Sequence, residues 1–238
     1  MLRATALPPV VLLDLDDTIV HFTVGRPNFW LQAFATHHRP GLPSPERLTQ
    51  AVDAVSGPYW ADAKRASERR LALRQARREV AELAFTALGL EDRSLAHRVA
   101  DDFTDNKEDA VAPFEGAIEA LTALQGRGTR LGLITNGHPR LQRRKLKRYD
   151  LERHFEAVLI EGEWGVGKPH ASIFAEALSQ MRCKPEDAWM VGDNLVADIA
   201  GAQALGITAV WVDHAGDGPP AASKPDRIIR ALSDLLEP

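Results

Sequence analysis

Cysteine is almost absent: Cys183 is the single copy in 238 residues. No internal disulfide can form, and without a companion histidine motif this thiol reads as a bystander. No apolar run is long enough to span a bilayer, and no charged-then-apolar leader opens the chain. These absences set the expectation of a cytoplasmic protein with no membrane partner. An excess of positive charge is also missing. Lys and Arg number 29 against 33 Asp and Glu, a formal charge of −4, which argues against nucleic acid as the main partner. There is no internal repeat, no low-complexity tract, and no Gly-x-Gly-x-x-Gly after the first strand-like segment, which disfavours a dinucleotide-binding unit. Between Pro27 and Glu108 no segment reads as a strand.

What is present is an ordinary globular composition, 45% hydrophobic and 26% charged. The chain is long enough to bury a substantial core, as one large α/β domain or as two smaller units. The stretch Val10 to Val20, Val-Val-Leu-Leu-Asp-Leu-Asp-Asp-Thr-Ile-Val, organises the rest. Four apolar residues rich in β-formers read as a strand buried on both faces, as in the middle of a parallel sheet. Asp14 and Asp16 follow at its end. In an extended chain they project to one side about 7 Å apart, and two like charges so placed call for a positive partner. On this stretch alone they fit equally a turn or helix cap after a core strand, or a nucleophilic carboxylate beside an acid/base group with a metal between them.

Further apolar runs end in polar residues in the same way. Arg130 to Ile134 leads into Thr135-Asn136-Gly137. Ala157 to Ile160 is followed by a loop that delivers Lys168-Pro169 at a helix start, where an anion finds backbone N–H groups as well. Ala188 to Val191 leads into Gly192-Asp193-Asn194, with Asp198 in the first turn of the next helix. Thr208 to Val212 gives a fifth strand, and Ile228-Ile229 with a short helix closes the chain. Parallel strands deliver their carboxyl ends to one edge, so Asp14, Asp16, Thr135, Lys168, Asp193 and Asp198 are expected to converge there. Four carboxylates against one lysine leave surplus negative charge, which a hard divalent cation, Mg²⁺ above all, neutralises with oxygen ligands.

The interval after the first motif is helical. Its longest helix is expected to run from Trp60 to Leu88, with Leu73, Ala76, Val80, Leu83 and Ala87 as its apolar stripe and Gly89 as its stop. Arg70, Arg74 and Arg77 or Arg78 form a separate basic stripe. That stripe reads first as a solvated face and second as an attractor for an anionic substrate.

In order and spacing, Asp14-Leu-Asp16-Asp-Thr18, Thr135-Asn136-Gly137, Lys168-Pro169 and Gly192-Asp193-x4-Asp198 resemble the four motifs of the haloacid dehalogenase superfamily of hydrolases, over nearly the whole chain. Thr135-Asn136-Gly137 with Gln142, Lys145 and Leu146 is similar to a branch of sugar-phosphate and nucleotide phosphatases that includes N-acylneuraminate-9-phosphatase. The resemblance implies a Rossmann-like α/β core, residues 1–20 and 110–238, carrying an inserted all-helical cap domain, residues 21–109. It implies a Mg²⁺-dependent phosphomonoester hydrolase acting on a small phosphorylated metabolite, as a monomer or homodimer. Asp14 is then the nucleophile that becomes an aspartyl phosphate, and Asp16 the acid and base. Thr135, Asn136 and Lys168 hold the phosphoryl group. The metal sits on Asp14, the backbone carbonyl of Asp16, and Asp193, with Asp198 behind them.

A 2-haloacid dehalogenase needs neither the metal nor the second acid, so Asp16 and Asp193 argue for the phosphatase. A phosphomutase and a catalytically silent binding module of the same fold are the remaining alternatives, although no essential residue is missing. Trp60, Lys64 and Arg65, an aromatic face and positive charge near a helix start, are the candidate substrate contacts. Crossings at Val20 to Gly25 and Asp109 to Pro113 are expected to place the helical unit where it can cover the cleft.

Overall fold

All four residues of β1 (Val10–Leu13) are shielded from solvent, as befits a strand with neighbours on both sides. In the computed structural model, which describes residues 7–22 and 28–237, β1 pairs with β4 (Arg130–Thr135) on one side and β6 (Ala188–Gly192) on the other, both parallel and in matched register. β5 (Ala157–Ile160) extends the sheet beyond β4. β7 (Thr208–Val212) and β8 (Arg227–Ile229) extend it beyond β6, giving the order β5-β4-β1-β6-β7-β8. Every pairing in this sheet is parallel. The Rossmann-like α/β architecture is therefore the observed one, and the strand order reverses about β1, where such sheets bind ligands.

The alternation of the strands decides what covers each face. Val10 and Leu12 join Met190, Ala209 and, from α9 (Ala171–Gln180), Ile173, Phe174 and Ala177 in one cluster. Val11 and Leu13, one step out of phase, are buried on the opposite face. A short antiparallel pair, β2 (Val20–His21) with β3 (Ala112–Pro113), brackets the helical insertion. Of the lead-in and the first crossing, residues 1–6 and 23–25 lie outside the described part.

The chain divides into two compact units, Met1–Val24 with Ala112–Pro238, and Gly25–Val111. The second holds α1 (Phe29–Thr36), α2 (Pro45–Ala61), α3 (Ala63–Arg70), α4 (Leu73–Ala87) and α5 (Arg93–Asp109), closed around Phe34, Leu48, Val52, Val80, Phe85 and Val99. The single helix expected from Trp60 to Leu88 is broken twice. Asp62 is extended and its side chain accepts from Arg65 N, so it ends α2 and caps α3. Ala72, at φ −132° and ψ 47°, then leaves the helical path before α4. The apolar stripe is met in part: α4 buries Ala76 and Val80 as expected, but adds Ala81, Ala84 and Phe85, while Leu83 is 46% exposed. Among the described residues no helix is long and apolar enough to cross a membrane.

Candidate active site

The first loop after the sheet carries the charge. Asp14 leaves β1 with its N–H bonded to Val191 O of β6 at 2.9 Å, which fixes its side chain at the carboxyl edge. Lys168 arrives from beyond β5, almost wholly buried, and its Nζ donates to Asp14 Oδ1 at 2.5 Å. The same ammonium forms an ion pair with Asp198 Oδ1 at 2.7 Å, off the line of a good hydrogen bond. Asp198 lies in a π-helical turn, Leu195–Ala200, and its other oxygen accepts from Asn194 N at 2.9 Å. The backbone of Asp193 is held by Trp211, whose Nε1 donates to its carbonyl at 2.7 Å. Asn194 caps the turn by accepting from Val196 N and Ala197 N.

The result is one carboxylate oxygen each from Asp14, Asp193 and Asp198 within 4.8 Å of one another. Burial, then the Asp198 and Asp16 charges, push Asp14 up to about 7 against the pull of Lys168. Burial and the charges of Asp14, Asp198 and Asp17 push Asp193 up to about 8. Lys168 is opposed by burial too, but Asp14 and Asp198 outweigh it and hold the ammonium above the usual lysine range. One lysine thus leaves three crowded carboxylates under-neutralised. Their donor set, hard oxygens with neither thiolate nor imidazole, fits Mg²⁺ or a similar hard divalent cation.

Asp16 is placed differently. Its carboxylate is outside that group of three and bonds Lys145 Nζ through both oxygens, at 2.6 and 2.7 Å, and Gln142 Nε2 at 2.9 Å. Both oxygens of the Asp16 carboxylate are thus engaged by α7 (Pro139–Arg148). Gln142 and Lys145 sit one turn apart on that helix. Both belong to the resemblance drawn above, but helical spacing alone does not show which strand end a side chain reaches, so the sequence does not mark them as site residues.

Thr135 closes β4, buried, its hydroxyl accepting from Gln142 Nε2 at 2.6 Å. Asn136 is not free to meet a phosphoryl group through its side chain. Its Nδ2 donates to Lys168 O and its Oδ1 accepts from Lys168 N, both at 2.8 Å. Its carboxamide therefore acts as a clamp that sets the Lys168 backbone. Buried Glu161 accepts from Gly137 N at 2.8 Å and steadies the same turn. This anchor carried no sequence signal beyond an acid after a strand.

Of the helical candidates, Trp60 and Arg65 make contacts within their own unit. Trp60 packs at the margin of the helical core, edge-on to Tyr59 with centroids 5.1 Å apart. Arg65 lies over the Tyr59 ring at 5.0 Å, and Lys64 is exposed. In the basic stripe, Arg78 makes a two-pronged bond to Asp101 at 2.8 and 2.6 Å, Arg74 bonds Asp105, and Arg77 is buried 5.3 Å from the Phe103 ring. Much of that stripe is absorbed by α5.

A parallel sheet with acids at β1 and β6 and a lysine beyond β5 defines a class of hydrolase. The model of the haloacid dehalogenase-like hydrolase family matches residues 8–206, and the chain belongs to that family. It is 42% identical over 116 residues to a phosphoserine phosphatase of Thermus thermophilus, covering 49% of this chain and 47% of that protein. It is 30% identical over 189 residues to the pyrimidine 5′-nucleotidase YjjG of Escherichia coli, covering 78% and 80%. The chain spans less than half the length of the first curated relatives it matches. Among solved structures, the HAD-hydrolase YfnB of Bacillus subtilis, bound to magnesium, superposes with a TM-score of 0.74 at 20% identity over 97% of each chain.

Proposed function

We propose that this protein is a divalent-cation-dependent phosphomonoester hydrolase acting on a small phosphorylated metabolite. The observation that carries the reading is the group Asp14, Asp193 and Asp198, with Lys168 bridging Asp14 and Asp198. Its relatives include proteins named as phosphatases of phosphoserine, of glyceraldehyde 3-phosphate and of pyrimidine 5′-nucleotides. In this reading Asp14, Asp193 and the Asp16 carbonyl hold Mg²⁺, and Asp198 supports them through Lys168. The cation supplies charge neutralisation at the transferring group.

The chain's own residues do the rest. Asp14 attacks phosphorus, the ester oxygen leaves, and an aspartyl phosphate remains on Asp14. Asp16 gives the leaving oxygen its proton, then takes one from the water that hydrolyses the intermediate. Lys168 and the Thr135 hydroxyl bind phosphoryl oxygens, and the Asn136 clamp keeps Lys168 in place. Phosphoryl transfer asks mainly for alignment and charge neutralisation, which this inventory supplies. Residues 21–109 act as the cap that selects the leaving group.

The test is a panel of phosphate esters with purified protein. Hydrolysis is expected with Mg²⁺, lost in excess chelator, and restored by adding the cation back. Full hydrolysis in chelator, or dehalogenation of a 2-haloacid in place of ester cleavage, overturns the reading.

A further inference from the structure

We propose that Lys145, with Gln142, is a positioning residue that withholds the Asp16 carboxylate from the metal and so reserves it for proton transfer. This rests on the reading of the site given above and adds a division of labour to it. Asp14 and Asp16 are two residues apart on one loop, and both face the same surplus of negative charge. A cation in that neighbourhood draws in any carboxylate able to reach it, and a carboxylate bound to the ion is spoiled as an acid or base.

The structure shows what keeps them apart. Lys145 is buried to 8% exposure and meets both oxygens of Asp16 at 2.6 and 2.7 Å. Its ammonium is fixed from another side by the Phe22 ring, 4.3 Å from the centroid. Gln142 adds a third bond to Asp16 and ties the assembly to Thr135 Oγ1 and Asn136 O, at 2.6 and 3.0 Å. Both Asp16 oxygens are thereby engaged from the α7 side. The carboxylate is absent from the group of three that its neighbour Asp14 joins. The site thus has two lysines with separate charges to balance: Lys168 serves Asp14 and Asp198, and Lys145 serves Asp16.

The experiment is a double-mutant cycle read by calorimetric binding of Mg²⁺, or of Ca²⁺ where Mg²⁺ is too weak. Lys145→Met is expected to tighten binding about tenfold, the scale on which groups contacting metal ligands act, while kcat falls and KM changes little. Lys145→Arg is expected to keep affinity and kcat near those of the parent protein. In an Asp16→Asn background the gain from Lys145→Met is expected to vanish. A gain that persists there is only the field of the lost charge and overturns the proposal, as does unchanged affinity in Lys145→Met. Should Lys145→Met fail to fold, Asp16→Asn alone decides. Affinity within twofold of the parent supports withholding, and a tenfold loss shows that the carboxylate is a ligand. If the parent hydrolyses no ester, the phosphatase reading fails, and the binding cycle still settles Lys145.

Discussion

A Cβ added to Gly192 meets Asp198 Oδ2 at 2.3 Å. The last residue of β6 must be glycine because the carboxylate that pairs with Lys168 folds back over the strand end. Gly192→Ala is therefore expected to displace Asp198, cost about 1 to 3 kcal/mol of stability as an overpacked site, and lower kcat/KM on a phosphate ester by about a hundredfold. Thermal melts and steady-state kinetics check this, and near-parent kinetics would show that Asp198 has slack to move.

Asn136→Ala removes both bonds to the Lys168 backbone and leaves a buried N–H and C=O unpaired. The expected loss is about 1 to 3 kcal/mol in stability, with KM for the phosphate ester raised because Lys168 is no longer held. Asn136→Asp keeps the acceptor for Lys168 N, loses the donor to Lys168 O, and should fall between. Equal kinetics for all three proteins would separate Asn136 from the lysine.

The crowded carboxylates predict a pH dependence of definite sign. In the absence of a cation Asp193 titrates near 8, against 3.8 for the free side chain. The folded chain then keeps a proton that the unfolded chain has lost, so stability attributable to Asp193 declines as pH rises from about 4 to about 8. Other acids shift the opposite way, Asp101 through its Arg78 bond among them, so the informative quantity is a difference. Asp193→Asn should gain stability relative to the parent across that range in chelator. Mg²⁺ should stabilise the parent more at pH 8 than at pH 5, because it competes with protons for the same oxygens. A parent-minus-variant difference that is flat with pH contradicts the account.

For the helical unit, alanine at Trp60, Lys64 or Arg65 is expected to alter the ranking of phosphate esters, with metal dependence retained. Lys64 and Arg65 are the more telling of the three, since both are exposed while Trp60 is half-buried against Tyr59. An unchanged ranking in all three variants removes these residues from consideration.

These variants also trace what the sequence alone revealed. The strands were legible because a strand buried on both faces needs an unbroken apolar run, and the runs of β1, β4 and β6 end in polar residues that form the site. The convergence of Asp14, Lys168, Asp193 and Asp198 followed from parallel topology. The roles of Lys145 and Asn136 did not. Lys145 sits on a strongly basic helix where its neighbours Lys147 and Arg148 are exposed, and only the placement of α7 beside the β1 loop selects it. The Asn136 clamp is a side chain to backbone bond across 32 positions, which leaves no periodic signal. In the helical unit, Asp62 is a helix breaker because its carboxylate captures Arg65 N, and past Val80 the face of α4 that is buried holds Ala81, Ala84 and Phe85 rather than Leu83, a choice made by tertiary packing.

The central claim, that Asp14 becomes covalently phosphorylated, is tested most directly by trapping. The enzyme is mixed with a phosphate ester and Mg²⁺, quenched in acid during turnover, and reduced with borohydride, which converts an aspartyl phosphate to homoserine. The account predicts homoserine at position 14, in the parent protein and not in Asp14→Asn, whose turnover is abolished. Sustained hydrolysis with no modification at Asp14, or near-parent turnover by Asp14→Asn, would contradict it.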